Sequence, residues 1–254
     1  MAETATAIIN KPAWVDLAAK DPEAARDFYS KVLGWTFEVN PDPQYGGYAL
    51  AKVGGSDAAG IGGAMSPDAP NAWSLYIGTD DIDALAQRVT ANGGTVAMAP
   101  FDVGDQGRMA VFQDPAGAFI STWQGTRMGG FQTQGPNAFG WADLNARDVS
   151  KALPFYEQVF GWSIKPSGTP ERPYNEFAID GQSFAGATEL DPNSPAPSHW
   201  MIYFTVDDVD VAHRTTIGAG GRELVAPLDF PGGRMSIVSD PQGAAFGLMS
   251  LTSR

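Results

Sequence analysis

The sequence of 254 residues contains no cysteine, which excludes disulfides, thiolate metal sites and a cysteine nucleophile. Histidine is nearly absent as well, because His199 and His213 are the only two, and no site built from several histidines can exist in either half. Basic residues are few: 16 Lys and Arg against 29 Asp and Glu give a net charge of −13. This charge argues against nucleic acid or an anionic membrane as a partner, and it serves solubility more than recognition.

Long apolar runs are also missing from the sequence. None approaches the roughly 20 residues that a membrane helix needs, and Ala7-Ile8-Ile9 is too short for the core of a signal peptide. These absences predict a soluble, cytoplasmic protein without a membrane partner.

The sequence does contain a long internal repeat. Trp14-Val15-Asp16-Leu17 returns as Trp141-Ala142-Asp143-Leu144, an offset of 127 residues, and after Pro100 and Pro227 the offset becomes 126. The other repeated pairs are Gly34-Trp35 and Gly161-Trp162, Trp73 and Trp200, Asp80-Asp81 and Asp207-Asp208, Gly93-Gly94 and Gly220-Gly221, and Asp114-Pro115 and Asp240-Pro241. Chance does not keep one offset over about a hundred positions, so we predict a tandem duplication. The predicted domains span residues 12–125 and 138–251, joined by a linker at 126–137.

Each half is predicted to hold two strand–helix–three-strand units, an α+β fold. The first helix follows Asp21-Pro22-Glu23, where Asp caps and Pro takes the first helical position, and it ends at Gly34. A second helix follows Asp80-Asp81 and stops at Asn92-Gly93-Gly94. The predicted strands of this half are Ala13–Ala19, Trp35–Val39, Tyr48–Lys52, Ile61–Met65, Trp73–Thr79, Thr95–Ala99, Arg108–Gln113 and Phe119–Gln124.

In this order and spacing, repeated twice, the motifs resemble the vicinal oxygen chelate superfamily of glyoxalase I, bleomycin-resistance proteins and extradiol dioxygenases. The resemblance is carried by Asp27-Phe28-Tyr29 with Val32-Leu33-Gly34-Trp35, by Asn92-Gly93-Gly94, by Asp114-Pro115-Ala116-Gly117, and by their second-half partners. More narrowly, the Trp-Val/Ala-Asp-Leu strands are similar to actinobacterial two-domain members, which are often named glyoxalase-like or hydroxylase. The resemblance implies two tandem domains, each a cupped, eight-stranded mixed sheet that encloses a pocket.

Superfamily members with metal chemistry hold a divalent ion with four side chains, and three of those positions carry over to this chain. They fall on Trp14 and Trp141, on Ser74 and Met201, and on Ser121 and Gly247, while the fourth lies near Gly62–Ala64 and Thr188-Glu189. Indole and thioether are poor ligands for hard ions and glycine has no side chain. A metal-dependent lyase or dioxygenase is therefore disfavoured, and no cofactor is predicted. An ion held by carboxylates and carbonyls alone remains an alternative.

Strand residues two apart share a face, so these positions also give the walls of each cup. The predicted substrate-binding residues are Trp14, Asp16, Ser74, Tyr76, Ser121, Trp123, Trp141, Met201 and Met249. Phe119 shares the predicted face of Ser121. The predicted catalytic residues are Asp143, His199 and Tyr203. A wall of aromatic rings and thioethers suits a flat, apolar or conjugated small molecule that a few polar groups orient.

The strand residues Trp14, Asp16, Trp141 and Asp143 each have a second interpretation. The tryptophans either stack on a ligand or fill a vestigial site as core residues. The aspartates either brace a neighbouring strand by accepting main-chain N–H bonds or act as a general base among aromatic rings.

The histidines and two arginines have alternatives of their own. His199 is either a solvated residue at a strand end or an acid/base group, and His213 is predicted to be solvent-exposed on a helix. Arg108 and Arg234 either brace their hairpins through salt bridges or bind an anionic group of a substrate.

Two functions from different classes follow. The first is a metal-independent enzyme of secondary metabolism, an isomerase, cyclase, lyase or hydroxylase-like protein, acting on a small aromatic or conjugated molecule. The second is a non-catalytic protein that sequesters an antibiotic or metabolite. For either function the predicted partner is a small-molecule ligand, and the protein is predicted to be a monomer or homodimer. An enzyme would place its chemistry in one cup, and the pocket-facing histidine predicted here, His199, lies in the second half.

Overall fold

The computed structural model describes residues 8–64, 66, 69–126, 131 and 135–252. Its first half contains β1 (Pro12–Ala19), α1 (Pro22–Leu33), β2 (Thr36–Val39), β3 (Ala49–Val53), β4 (Ser56–Gly63), β5 (Ala72–Gly78), α2 (Ile82–Ala91), β6 (Thr95–Val103), β7 (Gly107–Gln113) and β8 (Phe119–Gly125). Its second half contains β9 (Phe139–Ala146), α3 (Val149–Phe160), β10 (Ser163–Thr169), β11 (Arg172–Ile179), β12 (Gln182–Glu189), β13 (His199–Thr205), α4 (Val209–Gly218), β14 (Arg222–Phe230), β15 (Gly233–Ser239) and β16 (Ala245–Leu251). No described helix is long and apolar enough to cross a membrane.

The strands form two open sheets of eight, which confirms the predicted α+β class. The order is β2-β3-β4-β1-β5-β8-β7-β6 in the first sheet and β10-β11-β12-β9-β13-β16-β15-β14 in the second. In the first sheet β1 pairs with β4 and β5 with β8 in parallel, while the hairpins are antiparallel, so the sheet is mixed. The chain therefore forms two tandem domains with the same strand order.

The helices begin where their capping residues predict. Asp21 accepts the Ala24 N–H at 3.0 Å, and Gly34 ends α1 in the left-handed conformation. The second residue of each Asp-Asp pair is the cap: Asp81 starts α2 and Asp208 starts α4.

Two strands differ from the prediction. β4 begins at Ser56, before the predicted Ile61, because Gly54 and Gly55 adopt positive φ and turn β3 directly into an antiparallel β4. Met65 lies outside the described residues. β6 continues beyond Ala99 to Val103, since its pairing with β7 shifts register across Pro100 and needs no donor there.

By packing, the chain divides into two compact units that are not the two halves of the sequence. Unit 1 comprises Met1–Trp14, Leu75–Gly130 and Trp141–Trp200. Unit 2 comprises Val15–Ser74, Phe131–Gly140 and Met201–Arg254. The domain limits 12–125 and 138–251 remain a prediction, and much of the linker 126–137 lies outside the described residues.

The core of unit 1 is built around Tyr156 of α3, and α2 packs against α3 beside it. Tyr156 stacks on Trp162, donates its hydroxyl proton to Asp114 at 2.9 Å and accepts the indole N–H of Trp200 at 2.9 Å. Asp114 lies in the turn between β7 and β8 and also accepts two main-chain N–H bonds. Burial raises the pKa of Asp114 and, together with the nearby carboxylate, raises the pKa of Tyr156 well above its usual value.

Unit 2 repeats this arrangement around Tyr29 of α1. Its hydroxyl group lies 3.4 Å from Asp240, in the turn between β15 and β16, and accepts the indole N–H of Trp73 at 2.9 Å. Burial likewise raises the pKa of Tyr29 and of Asp240. The tyrosine of each unit thus comes from one half of the sequence and its aspartate from the other.

A second pair of bonds joins the halves within each unit. Trp162 donates its indole N–H to the carbonyl of Asn10 in unit 1, and Trp35 does the same to Asn137 in unit 2, both at 2.6 Å. Both asparagines have positive φ, a conformation that asparagine tolerates better than most residues. The Gly-Trp motifs that follow α1 and α3 therefore hold the segments that lead into the opposite half's first strand.

Candidate functional site

Unit 1 contains a half-buried cluster of a carboxylate, a phenol and an indole, which we name the Asp143 cluster: Trp141, Asp143 and Tyr174. β9 presents Trp141 and Asp143 two residues apart, and β11 presents Tyr174. The Asp143 Oδ1 atom accepts the Tyr174 hydroxyl at 2.5 Å and the Trp141 indole N–H at 2.9 Å. The same indole N–H lies 2.9 Å from the Tyr174 oxygen. Charge-assisted bonds of this kind fix the carboxylate in one orientation.

Gly186 makes room for the Asp143 cluster. β12 lies between β9 and β11 in the sheet, and its residue Gly186 pairs with Asp143 on one side. A Cβ atom on Gly186 would lie 1.8 Å from the Tyr174 hydroxyl oxygen and 2.7 Å from Asp143 Oδ1. The tyrosine can therefore reach across β12 only because this position has no side chain.

Unit 2 contains a similar arrangement of Asp16, Tyr48 and Gly60. A Cβ atom on Gly60 would lie 1.8 Å from the Tyr48 hydroxyl oxygen and 3.1 Å from Asp16 Cβ. Of these residues only the aspartates were predicted from the sequence as site residues, and the two tyrosines were not. The signal was an offset of 126 between Tyr48 and Tyr174, which the different loop lengths around them obscured.

The remaining predicted wall residues of unit 1 are mostly buried. Trp14 is 2% exposed, and Tyr76, Ser121 and Trp123 are buried as well. On β5 and β8, Tyr76 lies directly opposite Ser121. Ser74, two residues before Tyr76 on β5, is half-buried and belongs to unit 2. Phe119, expected on the same face as Ser121, is 56% exposed at the start of its strand and does not form a wall.

In unit 2 the predicted binding residues Met201 and Met249 are buried, and so is Tyr203, which was predicted to be catalytic together with Asp143 and His199 of unit 1. Tyr203 lies opposite Gly247, and its ring occupies the place that a Cβ atom of Gly247 would take, at 2.0 Å. The sulfur of Met249 lies 3.3 Å from the corresponding point on Gly140. The glycine at a predicted ligand position thus serves to admit a tyrosine ring.

His199 is half-buried at the start of β13. Its Nδ1 atom lies 2.8 Å from the carbonyl oxygen of Pro197. Because a carbonyl only accepts, Nδ1 must carry the proton, and in the neutral ring Nε2 is the acceptor. Asp143 thus accepts bonds from Trp141 and Tyr174, and His199 is oriented by the carbonyl of Pro197.

The prediction that His213 is solvent-exposed is wrong. It is 7% exposed, and its Nε2 atom lies 3.0 Å from Glu223, while Nδ1 has no hydrogen-bond partner among the described residues. Val209, Ala212, His213 and Thr216 follow one another at helical spacing and form the buried face of α4. His213 is buried because of its position on this face of α4, and the polarity of its imidazole does not change that.

Arg108 and Arg234 brace their hairpins, which confirms the first of the two interpretations. Arg108 binds Asp83 at 2.6 Å, and Arg234 binds Asp210 and Asp229, each at 2.8 Å. Asp83 and Asp210 lie in the first turn of α2 and α4, so each arginine ties a hairpin to the neighbouring helix.

The described residues do not offer the donors of a four-ligand metal site. No group of three or more His, Cys, Asp or Glu side chains among them is placed to hold an ion. At two of the positions implied by the superfamily, the Trp141 indole donates to Asp143 and Gly247 lies against the ring of Tyr203. These positions therefore do not fit a divalent metal ion.

Comparison with known proteins agrees with this fold. The family model "Glyoxalase/Bleomycin resistance protein/Dioxygenase superfamily" matches residues 11–122 and 138–248. The Mycobacterium tuberculosis protein CFP32 is 36% identical over 245 residues, covering 94% of each chain. The anthracycline biosynthesis protein DnrV of Streptomyces peucetius is 35% identical over 255 residues, covering 94% of this chain and 93% of its own.

Among solved structures, the Mn(II)-bound glyoxalase of Novosphingobium aromaticivorans superposes with a TM-score of 0.66 at 18% identity, over 96% of this chain and 83% of that one. This likeness concerns the fold. Since the family model matches both halves over most of their length, the chain belongs to the Glyoxalase/Bleomycin resistance protein/Dioxygenase superfamily.

Proposed function

We propose that this protein binds a small, flat aromatic or conjugated molecule of secondary metabolism and moves a proton on it without a metal. The second half carries the chemistry, with Asp143 and His199 as the proton-transferring groups and Tyr174 bound to Asp143. Isomerisation, cyclisation and hydration are the reactions that such groups catalyse, because each needs a proton removed and returned.

The observation that carries the proposal is the Asp143 cluster. A half-buried carboxylate is held by a phenol and an indole at 2.5 and 2.9 Å, so it is oriented before any ligand arrives. The indole of Trp141 is half-buried and offers a face on which a flat ligand can stack. Trp14, its counterpart in the other half, is 2% exposed and is the core residue of the pair.

Two further observations support the ligand class. Among the residues predicted to face a cup, unit 1 contains the rings of Tyr76 and Trp123, and unit 2 contains the ring of Tyr203 and the thioethers of Met201 and Met249. In either unit, such groups suit a conjugated molecule. The relative DnrV and a second Streptomyces relative, DauV, are named for anthracycline biosynthesis, and anthracyclines contain fused aromatic rings. The donor set at the superfamily's metal positions supports chemistry without a metal.

The test compares Asp143→Asn with Asp16→Asn, its matched control in the other half, using an anthracycline as the probe. Binding is measured by quenching of tryptophan fluorescence, and conversion by mass spectrometry of the incubated probe and its biosynthetic precursors. We expect Asp143→Asn to lower conversion about 100-fold or more, with Kd within a few-fold of the wild type, because the amide keeps the shape and loses one of the two proton-transferring groups. Equal losses of binding and conversion would contradict the proposal.

Sequestration is the second candidate, and the net charge of −13 favours it for a cationic planar ligand. A sequestering protein would bind the probe tightly in both the wild type and Asp143→Asn and convert it in neither. The same two measurements therefore separate the two functions.

A further inference from the structure

One side chain, that of Arg147, holds the loop between β12 and β13. Arg147 follows β9, and its guanidinium donates to four main-chain carbonyl oxygens of the loop: those of Asp191 at 3.2 Å, Pro192 at 3.5 Å, Ala196 at 2.7 Å, and Ser194. The planar, five-donor fork of arginine is suited to bridging several acceptors at once. A loop containing three prolines thus gains one common anchor.

The anchored loop ends at His199. Ala196 is bound by the guanidinium, and the Ser198 hydroxyl accepts the main-chain N–H of Arg147 at 3.0 Å. Pro197 lies between these two residues, and its carbonyl is the group that accepts the His199 Nδ1 proton at 2.8 Å. Arg147 therefore holds the chain on both sides of the carbonyl that orients the imidazole.

The first half keeps the main-chain bond of this arrangement, but its sequence has neither the arginine nor the histidine at the equivalent positions. Lys20 occupies the position of Arg147, and its main-chain N–H donates to Asn71 at 2.6 Å, as that of Arg147 does to Ser198. Ala72 occupies the position of His199. A lysine is a single point donor and cannot replace the guanidinium fork. Within this chain, the guanidinium and the histidine occur in the same half.

We infer that Arg147 is a positioning residue for His199. By fixing the Pro197 carbonyl, it keeps the imidazole proton on Nδ1 and presents Nε2 as the proton acceptor. A carbonyl partner of this kind sets which ring nitrogen of a histidine carries the proton. The inference deepens the proposed function, since it rests on His199 as one of the proton-transferring groups of the second half.

The chemical step that it supports is a proton transfer and nothing more. The Nε2 lone pair takes a proton from an acidic C–H or O–H of the ligand, and the electron pair of the broken bond stays on the ligand. The imidazolium keeps its Nδ1–H bond to Pro197 and returns the Nε2 proton to another atom of the same ligand. Atoms and electrons balance without an oxidant or a reductant.

The test measures the tautomer directly by nuclear magnetic resonance of protein labelled with ¹⁵N in histidine, at a pH where both rings are neutral. The chain has two histidines, so His199→Gln leaves the His213 signals alone and assigns the rest. We expect the wild type to show His199 protonated on Nδ1. We expect Arg147→Ala and Arg147→Lys to shift the population toward protonation on Nε2, and Lys20→Ala, the matched control, to leave it unchanged.

Thermal unfolding of the same variants separates positioning from folding. A purely structural Arg147 would lower the melting temperature and leave the His199 tautomer as it was, which would overturn the inference. A wild type with its proton on Nε2 would overturn it too. The measurement needs no ligand, so a failed Asp143→Asn experiment with a clear tautomer shift would refute the proposed function and leave the role of Arg147 intact.

Discussion

The buried tyrosines Tyr29 and Tyr156 connect protonation to stability at the residue scale. Burial first, and the neighbouring carboxylate second, raise the pKa of both phenols well above the usual value. In the unfolded chain a tyrosine ionises near pH 10, whereas in the folded protein these two remain protonated. Their contribution is thus fully present below about pH 10 and is lost as the pH rises from there toward the folded-state pKa.

Tyr156→Phe should therefore weaken the protein at neutral pH and flatten its alkaline unfolding. The substitution leaves Asp114 without its phenol donor, which costs about 1–3 kcal/mol of unfolding free energy. It also removes one group that must ionise during alkaline unfolding, so the stability falls less steeply above about pH 10. Urea denaturation across the alkaline range measures both effects, with Tyr45→Phe, a tyrosine of the β2–β3 loop, as the control. Parallel slopes for wild type and Tyr156→Phe would contradict this account.

At the scale of single elements, the helix starts were predictable because a cap is a local interaction. Asp208 accepts the N–H of Val211 at 3.0 Å, three residues along the chain, and the sequence alone shows that spacing. The start of β4 depends on a turn at Gly54-Gly55. The sequence pattern did not reveal this turn, so the strand was predicted to begin later, at Ile61. The Asp143 cluster was found in part: Asp143 and Trp141 share one strand, but Tyr174 reaches them across β12, a contact that no local pattern reveals.

The cap at α4 gives a test at this scale. Asp208→Ala should lower the unfolding free energy by about 1 kcal/mol, since the Val211 N–H loses its acceptor at the start of the helix. Asp207→Ala changes the charge by the same amount next to the cap and should cost a few tenths of a kcal/mol at most. Denaturant midpoints of the two variants decide the matter, and equal losses would show that net charge, and not capping, is responsible.

For the whole molecule, the repeat predicted two similar sheets correctly. It did not predict that each compact unit draws on both halves. In unit 1, Tyr156 and Trp200 come from the second half and Asp114 from the first, and Trp162 binds Asn10. These bonds span 42 to 152 positions of sequence, so no local pattern could have shown them.

Cutting the chain within residues 127–130 tests this organisation. Each fragment alone would expose the aromatic residues that pack around Tyr29 of α1 or Tyr156 of α3, and it would leave Asp114 or Asp240 without its tyrosine. We therefore expect neither fragment to show a cooperative thermal transition as a monomer. Mixed or co-expressed fragments should associate and regain the transition. Size-exclusion chromatography with near-ultraviolet circular dichroism follows both outcomes. A separately folded, monomeric half would contradict the packing of the two units.

The bonds of Tyr29 with Asp240 and of Tyr156 with Asp114 have a consequence for how the two halves change over generations. A chain of half this length would carry one such tyrosine and one such aspartate, so it could form both bonds only by pairing with a second copy of itself. In such a symmetric homodimer every substitution appears twice. When two copies are joined in one chain, each half can be substituted independently of the other. Lys20 and Ala72 can persist in one copy while Arg147 and His199 arise in the other. Covalent joining thus permits a division of labour, in which one half is free to specialise and the other keeps the shared scaffold intact.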